Sequence, residues 1–277
     1  MRVESRIQNP ESRLAYVLRV SDPVVNGFCV SFDVEQYLKT FDRVAGECGF
    51  VRVVIAEVAG FEIPAYTRVK NNGPKIYISS GMHGDEPAGP WALMEMMAED
   101  RFSRSIEWCV CPVINPTGLS VGTRENAQGI DLNRDYWRKS TAEVAGHVDW
   151  LDQQPVPDVF LSLHEDWEST GFYLYEIQKC ACASVAHSIL EAASKEIKPE
   201  PSPLIDDHKV REPGWIFHEP RADFPKDWPE AIYMADRGTT VSYTMETPSS
   251  MDLKKRIACH KLAVCRAVEE FQLTRGA

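Results

Sequence analysis

The chain of 277 residues is 44% hydrophobic and 26% charged, with a formal net charge of −11. Such a composition can bury a sizeable core, whereas the acidic balance and the lack of any Lys/Arg-rich run exclude a protein built to grip nucleic-acid phosphates. No stretch approaches the roughly 18 uninterrupted apolar residues of a membrane span.

The opening Met1-Arg2-Val3-Glu4-Ser5-Arg6 leads into polar sequence rather than an apolar signal segment, so a cytoplasmic setting is expected. One domain over 1–277 is expected, because large α/β folds commonly reach this length as one unit. Within it, 1–32 forms an extension of little pattern, with an apolar stretch at 14–20 and a turn at Asp22-Pro23. Eight cysteines fall at 29, 48, 109, 111, 180, 182, 259 and 265. None forms a CxxC pair, so buried reduced thiols are expected rather than a metal cluster.

Residues 34–48 show helical spacing, with Asp33 as N-cap and Gly49 as a stop. Strands are expected at 50–58, 61–69 and 75–80, separated by the Gly60 turn and the Asn71-Asn72-Gly73 break. The third runs into Gly81-Met82-His83-Gly84-Asp85-Glu86-Pro87, after which 88–97 reads as a helix. A strand at 107–113 precedes a long polar loop, 115–138. Next come a helix near 141–152, a strand at 158–163 ending at His164, a strand at 171–177 and a helix at 183–197. The Pro-rich 199–229 segment reads as a long ordered loop with short elements. A strand at 241–246 and an amphipathic helix at 252–271 close the chain. Strands alternating with helices predict an α/β fold with a mixed, largely parallel sheet covered on both faces.

Ligands in such folds bind beyond the carboxyl ends of strands, where His83, His164 and Glu246 all fall. His83 and Glu86 form an HxxE pair in a glycine-rich turn. Alone, that pair also fits an ordinary solvated turn. Catalytic zinc, however, takes three protein ligands, often two His and one Glu, and leaves a position for water. Among the other histidines, His164 is distinguished by ending an apolar strand, and Glu165 and Asp166 follow it as potential partners for its ring. Glu246 ends another strand as a carboxylate that must find a partner or a task; general base and acid is the functional reading. The loop at 115–138 contributes Arg124 and Arg134, whose guanidinium groups suit a carboxylate clamp and an oxyanion. Pairing with Glu125, Asp131 or Asp135 is the alternative for them.

HGDE at 83–86, NPTG at 115–118, TRENAQGIDLNR at 123–134, LHED at 163–166 and YTMETP at 243–248 follow one another in the order of the zinc carboxypeptidases. The chain resembles that family, and its motif style is similar to the bacterial murein peptide amidases. The resemblance implies a three-layer α/β/α domain, one zinc ion per chain, and His83, Glu86 and His164 as its ligands. It implies Arg124 as the oxyanion-stabilising residue, Asn133 and Arg134 as the grip on the substrate's carboxylate, and Glu246 as the general base. The implied substrate is a small peptide or, in the related aspartoacylase and succinylglutamate desuccinylase branch, an acyl-amino acid. Neither nucleic acid nor membrane is an expected partner. The tyrosine of the digestive members has only Tyr233 and Tyr243 as candidate counterparts, and the acidic 163–176 segment departs from them in a way suited to a cationic or polar substrate.

Overall fold

The computed structural model describes residues 32–276 together with Pro10 and Arg13; the 14–20 stretch, the Asp22-Pro23 turn and Cys29 lie outside the described residues. Helix α1 (Val34–Glu47) starts where Asp33 Oδ1 accepts the Gln36 amide at 2.9 Å. The hairpin β1 (Val51–Val58) and β2 (Phe61–Arg68) follows, then β3 (Lys75–Ser80), α2 (Ala88–Ala98) and β4 (Glu107–Cys111). After α3 (Pro116–Val121) and a single 3-10 turn (Leu132–Arg134) come α4 (Ala142–Gln153), β5 (Val159–Asp166), β6 (Tyr173–Gln178) and α5 (Ala186–Ala193). The small hairpin β7 (Leu204–Ile205) and β8 (His208–Lys209) precedes β9 (Trp215–Phe217), α6 (Glu230–Arg237), β10 (Val241–Pro248) and α7 (Leu253–Gly276).

One eight-stranded sheet runs in the order β1-β2-β4-β3-β5-β10-β6-β9. Its four central strands, β4, β3, β5 and β10, are mutually parallel, while β2 and β6 pair antiparallel to that block. A parallel centre needs cover on both faces, and the side chains supply it by alternation. Ile76, Ile78, Leu161 and Leu163 point into a core shared with α1, α2, α5 and α7. Tyr77 and Phe160 point the other way, against α4 and α6. The architecture is the expected three-layer α/β/α. Among the described residues no helix is long and apolar enough to cross a membrane.

Helix α3 lies in a segment that read as a loop, and α6 falls within 230–240, where no element was expected. Asn115 accepts the Gly118 amide at 2.8 Å, Pro116 opens α3, and Gly122 ends it at φ 71°. Pro at the first helical position and a left-handed glycine at the end are helix punctuation, here enclosing only six residues and so easily taken for turn sequence. Pro229 and Gly238 (φ 109°) bracket α6 in the same manner. At 183–197 the helix is shorter than expected, because the Ser184 hydroxyl accepts the Ala186 amide at its start and turns replace it after Ala193. The cysteine expectation needs one correction: Cys180 and Cys182, after β6, form a disulfide rather than staying buried reduced thiols. Cys48, Cys109, Cys111, Cys259 and Cys265 are free.

The turn after β3 is pinned against α3. A Cβ on Gly84 would lie 1.9 Å from the Gly118 carbonyl carbon and 2.2 Å from the Leu119 nitrogen. Backbone does not yield as a side-chain tip does, so Gly84→Ala is expected to destabilise by about 1–3 kcal/mol. Gly46, exposed in α1 with nothing within 4 Å of its would-be Cβ, gives the opposite sign: Gly46→Ala should stabilise by about 0.5 kcal/mol. Urea unfolding measures both, and a Gly84→Ala midpoint equal to the parent's would refute the close approach.

Candidate metal centre and cleft

Three parallel strands deliver the site. Beyond β3, the Ile114 and Asn115 amides both donate to the Gly81 carbonyl, at 3.1 and 2.8 Å, and hold the turn that carries His83 and Glu86. His164 lies near the end of β5, and the β5–β10 register sets Glu246 directly beside it. Glu165, next along β5, faces away. It accepts the Ala88 amide at 2.7 Å at the start of α2 and pairs with Arg256, and burial pushes its carboxyl up to about 7. It is therefore not the partner of His164 that the sequence suggested; it fastens the helix behind the site.

His83, Glu86 and His164 are buried and converge. Nδ1 of His83 is 2.7 Å from Glu86 Oε1, and Nδ1 of His164 is 2.9 Å from Glu86 Oε2. On its other side His83 Nε2 meets Asp131 Oδ1 at 3.1 Å. A carboxylate behind a histidine is the usual way to fix the tautomer and orientation of a metal ligand. Arg124 donates to Asp131 Oδ2 from Nε at 3.1 Å and packs its Nη1 3.7 Å from Glu86 Oε1.

The electrostatics show what such a centre is short of. Burial pulls the His83 imidazole down, but the Glu86 and Asp131 carboxylates outweigh it and push its pKa up to about 9. Burial alone would raise Glu86, yet His83 and His164 hold it well below the usual carboxylate range. Glu246 is pushed well above that range by burial, then by the negative charges of Glu86 and Asp166. A proton on His83 is thus partly standing in for positive charge between carboxylates. Two imidazole nitrogens and a carboxylate aimed at one point, with that deficit of cation, fit the N/O donor set that zinc prefers.

All seven residues singled out from sequence, His83, Glu86, Arg124, Asn133, Arg134, His164 and Glu246, line one cleft of about 540 Å³. Asn133 Oδ1 accepts the Glu230 amide at 2.9 Å, tying the 3-10 turn to α6, and Arg134 reaches along the same wall. Neither tyrosine candidate arrives. Tyr243 donates to Glu176 at 3.0 Å inside the core, and Tyr233 donates to Asp152. Tyr173 and Tyr175 line the cleft instead. Their signal was present in the alternation of β6, where they share a face. Asp131 was visible from sequence as a possible partner of the arginines, a pairing that Arg124 makes; no local pattern marks it as the support of His83.

Comparison with known proteins bears on the fold. A protein from Shewanella denitrificans OS217 assigned as a metallopeptidase superposes with a TM-score of 0.77 at 23% identity, over 86% of this chain and 90% of that one. A metallo-carboxypeptidase from Burkholderia cenocepacia gives 0.65 at 17% over 88% and 70%, and carboxypeptidase A from Helicoverpa armigera gives 0.61 at 14% over 94% and 78%. The chain has the metallocarboxypeptidase fold. Within that fold, residues 72–196 match the succinylglutamate desuccinylase/aspartoacylase catalytic domain family. Carboxypeptidase SOL1 of Arabidopsis thaliana is 24% identical over 129 residues, 41% of this chain and about a quarter (26%) of that protein's length.

Beneath the cleft floor runs a buried chain of hydroxyls ending at Glu230, which accepts from Tyr77 at 2.6 Å and Ser79 at 2.7 Å. Tyr77 also meets His147 Nε2 at 2.7 Å, and Tyr136 meets His147 Nδ1 at 2.7 Å. With Glu230 ionised, every bond is satisfied when Tyr136 donates to Nδ1 and Nε2–H donates to Tyr77.

Two predictions follow from these supports. Asp131→Asn should weaken zinc affinity about 10–100-fold, measured by chelator competition; unchanged affinity would deny Asp131 its place behind His83. Burial pushes Glu230 up to about 7 from 4.5. The native state therefore binds more protons than the unfolded state between those values, and stability falls as pH rises through that window. Glu230→Gln removes this slope, so urea unfolding should show the variant gaining on the parent from pH 5 to pH 8; a constant difference would contradict it.

Proposed function

We propose that the chain is a zinc-dependent hydrolase that cleaves an amide bond adjacent to a free carboxylate, in the manner of a metallocarboxypeptidase or peptide amidase. The observation that carries this reading is the shared cleft: a buried His83–Glu86–His164 cluster, Glu246 beside His164 in strand register, and the guanidinium groups of Arg124 and Arg134 on the wall.

His83, Glu86 and His164 would hold the zinc ion. When bound, zinc polarises a carbonyl and acidifies water. Nearby positive charge also reverses the push that keeps Glu246 protonated. Glu246 then takes a proton from the attacking water and delivers it to the leaving amine. Arg124, oriented by Asp131, faces the negative charge that develops on the carbonyl oxygen. Arg134 binds the terminal carboxylate, with Asn133 holding the wall in place. Asp166, Glu168, Asp206, Asp207, Asp223 and Asp227 also line the cleft, which favours substrates carrying a cationic or polar group away from that carboxylate.

The deacylation of N-acyl amino acids is the second reading, favoured by the match of residues 72–196 to the desuccinylase/aspartoacylase domain. Both readings use the same residues and differ in the acyl group.

Glu246→Gln should keep its zinc while kcat falls about 10²–10⁴-fold; full turnover with metal retained would remove Glu246 as the base. Arg134→Met should raise KM about 10–100-fold for substrates with a free carboxylate and leave their amides unaffected, as expected for one charge-assisted bond. Amine release from C-terminal dipeptides against acyl-amino acids separates the two readings, and a preference for non-peptide acyl groups selects the second.

A further inference from the structure

A second cluster of metal-ligand type stands on the outer wall of the cleft, in the Pro-rich segment. His208 lies in β8, His218 follows β9 directly, and Asp223 lies in the loop after it. Their donor atoms lie within 4.8 Å of one another. His208 Nε2 is 3.5 Å and His218 Nε2 is 3.2 Å from the same atom, Asp223 Oδ2. Donor atoms around tetrahedral zinc at about 2.0–2.2 Å sit roughly 3.3 Å apart, so both separations are those of a coordination edge.

The hydrogen bonds define what the cluster lacks. His218 Nδ1 is 2.7 Å from the Glu219 carbonyl oxygen. A carbonyl can only accept, so Nδ1 carries the hydrogen, and Nε2 is the nitrogen turned toward the carboxylate oxygen. One divalent cation would engage both nitrogens and the carboxylate at once. A backbone carbonyl on Nδ1 is also the usual arrangement for an imidazole that binds metal through Nε2. The Tyr175 ring sits edge-on to both imidazoles, at 5.7 and 6.2 Å between centroids, and its hydroxyl is held by Asp206 of the adjoining turn.

We infer that His208, His218 and Asp223 form a second binding site for a divalent transition metal such as zinc, separate from the His83–Glu86–His164 cluster. It clamps the outer wall of the cleft. The 199–229 segment is anchored by Ile205 and Ile216 packed with Tyr173, and by Trp215 and Trp228 near its middle and end, while its strands are only two or three residues long. Cross-linking three stretches of it through one ion would supply order that its short strands do not. The donor set of two nitrogens and one oxygen suits zinc and its neighbours rather than magnesium or calcium.

Zinc stoichiometry of the full chain, stripped with chelator and reloaded, tests the site by elemental analysis and calorimetric titration. The parent should bind two equivalents, His208→Ala/His218→Ala one, and His83→Ala/His164→Ala one. Limited proteolysis supplies a second reading. Zinc should slow cleavage within 199–229 at least tenfold in the His83→Ala/His164→Ala variant and have no such effect in Asp223→Asn/His218→Ala. One equivalent in the parent and none in His83→Ala/His164→Ala would overturn the outer site while leaving the inner one standing. One equivalent in the parent that survives in His83→Ala/His164→Ala but is lost with His208 and His218 would establish the outer site and remove the inner one. Cobalt(II) spectra of the folded Asp223→Asn variant serve if the histidine variants fail to fold; an outer-site spectrum unchanged from the parent's would also overturn the assignment.

Discussion

A buried carboxylate, Glu86, sets the terms for the rest of the molecule. Taking a carboxylate out of water costs several kcal/mol even after the surroundings relax, so it must be answered by groups held in place. Two imidazoles answer it, each through Nδ1, at 2.7 and 2.9 Å, one from the turn after β3 and one from β5. That is possible only because β3 and β5 are adjacent and parallel, which brings their carboxyl ends to the same edge. The turn after β3 must then be tight enough to offer His83 and Glu86 together. Gly84, with no room for a side chain against Gly118, shows how closely that turn is pressed onto the next segment.

From this constraint the supporting network follows in layers. Asp131 fixes His83 from behind and engages Arg124, so one carboxylate orients both a candidate ligand and a candidate oxyanion group. Glu165, one residue past His164, turns to the opposite face because successive strand residues alternate. There it meets the α2 amide and Arg256. Buried charge beside the site is thus compensated by helix and arginine on one face and by histidine and arginine on the other. Glu246 differs: burial, with the negative charges of Glu86 and Asp166, pushes it toward its protonated form. A carboxyl left in that condition at the end of a strand is poised to exchange a proton once positive charge arrives.

What the sequence made legible divides by range. Strand–helix alternation exposed the α/β architecture, because both faces of the central strands are buried and each helix carries its own periodicity. His83 and Glu86 were readable because three residues of one turn hold them. His164 and Glu246 were readable because each closes an apolar strand. Helices α3 and α6 escaped because six and eight residues bounded by proline and glycine look like turn sequence. Asp131 and Glu230 escaped because their partners, His83 and Tyr77 with Ser79, are distant in sequence and no local spacing encodes them. Tyr173 and Tyr175 were passed over for Tyr233 and Tyr243. What separates these pairs is which face of a strand or helix looks into the cleft, and that depends on register rather than on residue type.

The cleft also has a built-in gradient. Near Glu86 its anionic groups are paired with His83, His164 and Arg124, whereas Asp206, Asp207 and Asp223 line it from the Pro-rich segment, where histidines supply the nearby nitrogens. A substrate carboxylate has reason to settle only where Arg124 and Arg134 outweigh the acids, because elsewhere it meets like charge in a partly dehydrated space. A cationic or polar substrate group meets the reverse. For the proposed reaction, charge would therefore set the orientation of a bound molecule before any group reacts. The same acidic wall that would repel an anion entering the wrong way round provides, in Asp223 with His208 and His218, the oxygen and nitrogens on which a second cation could close.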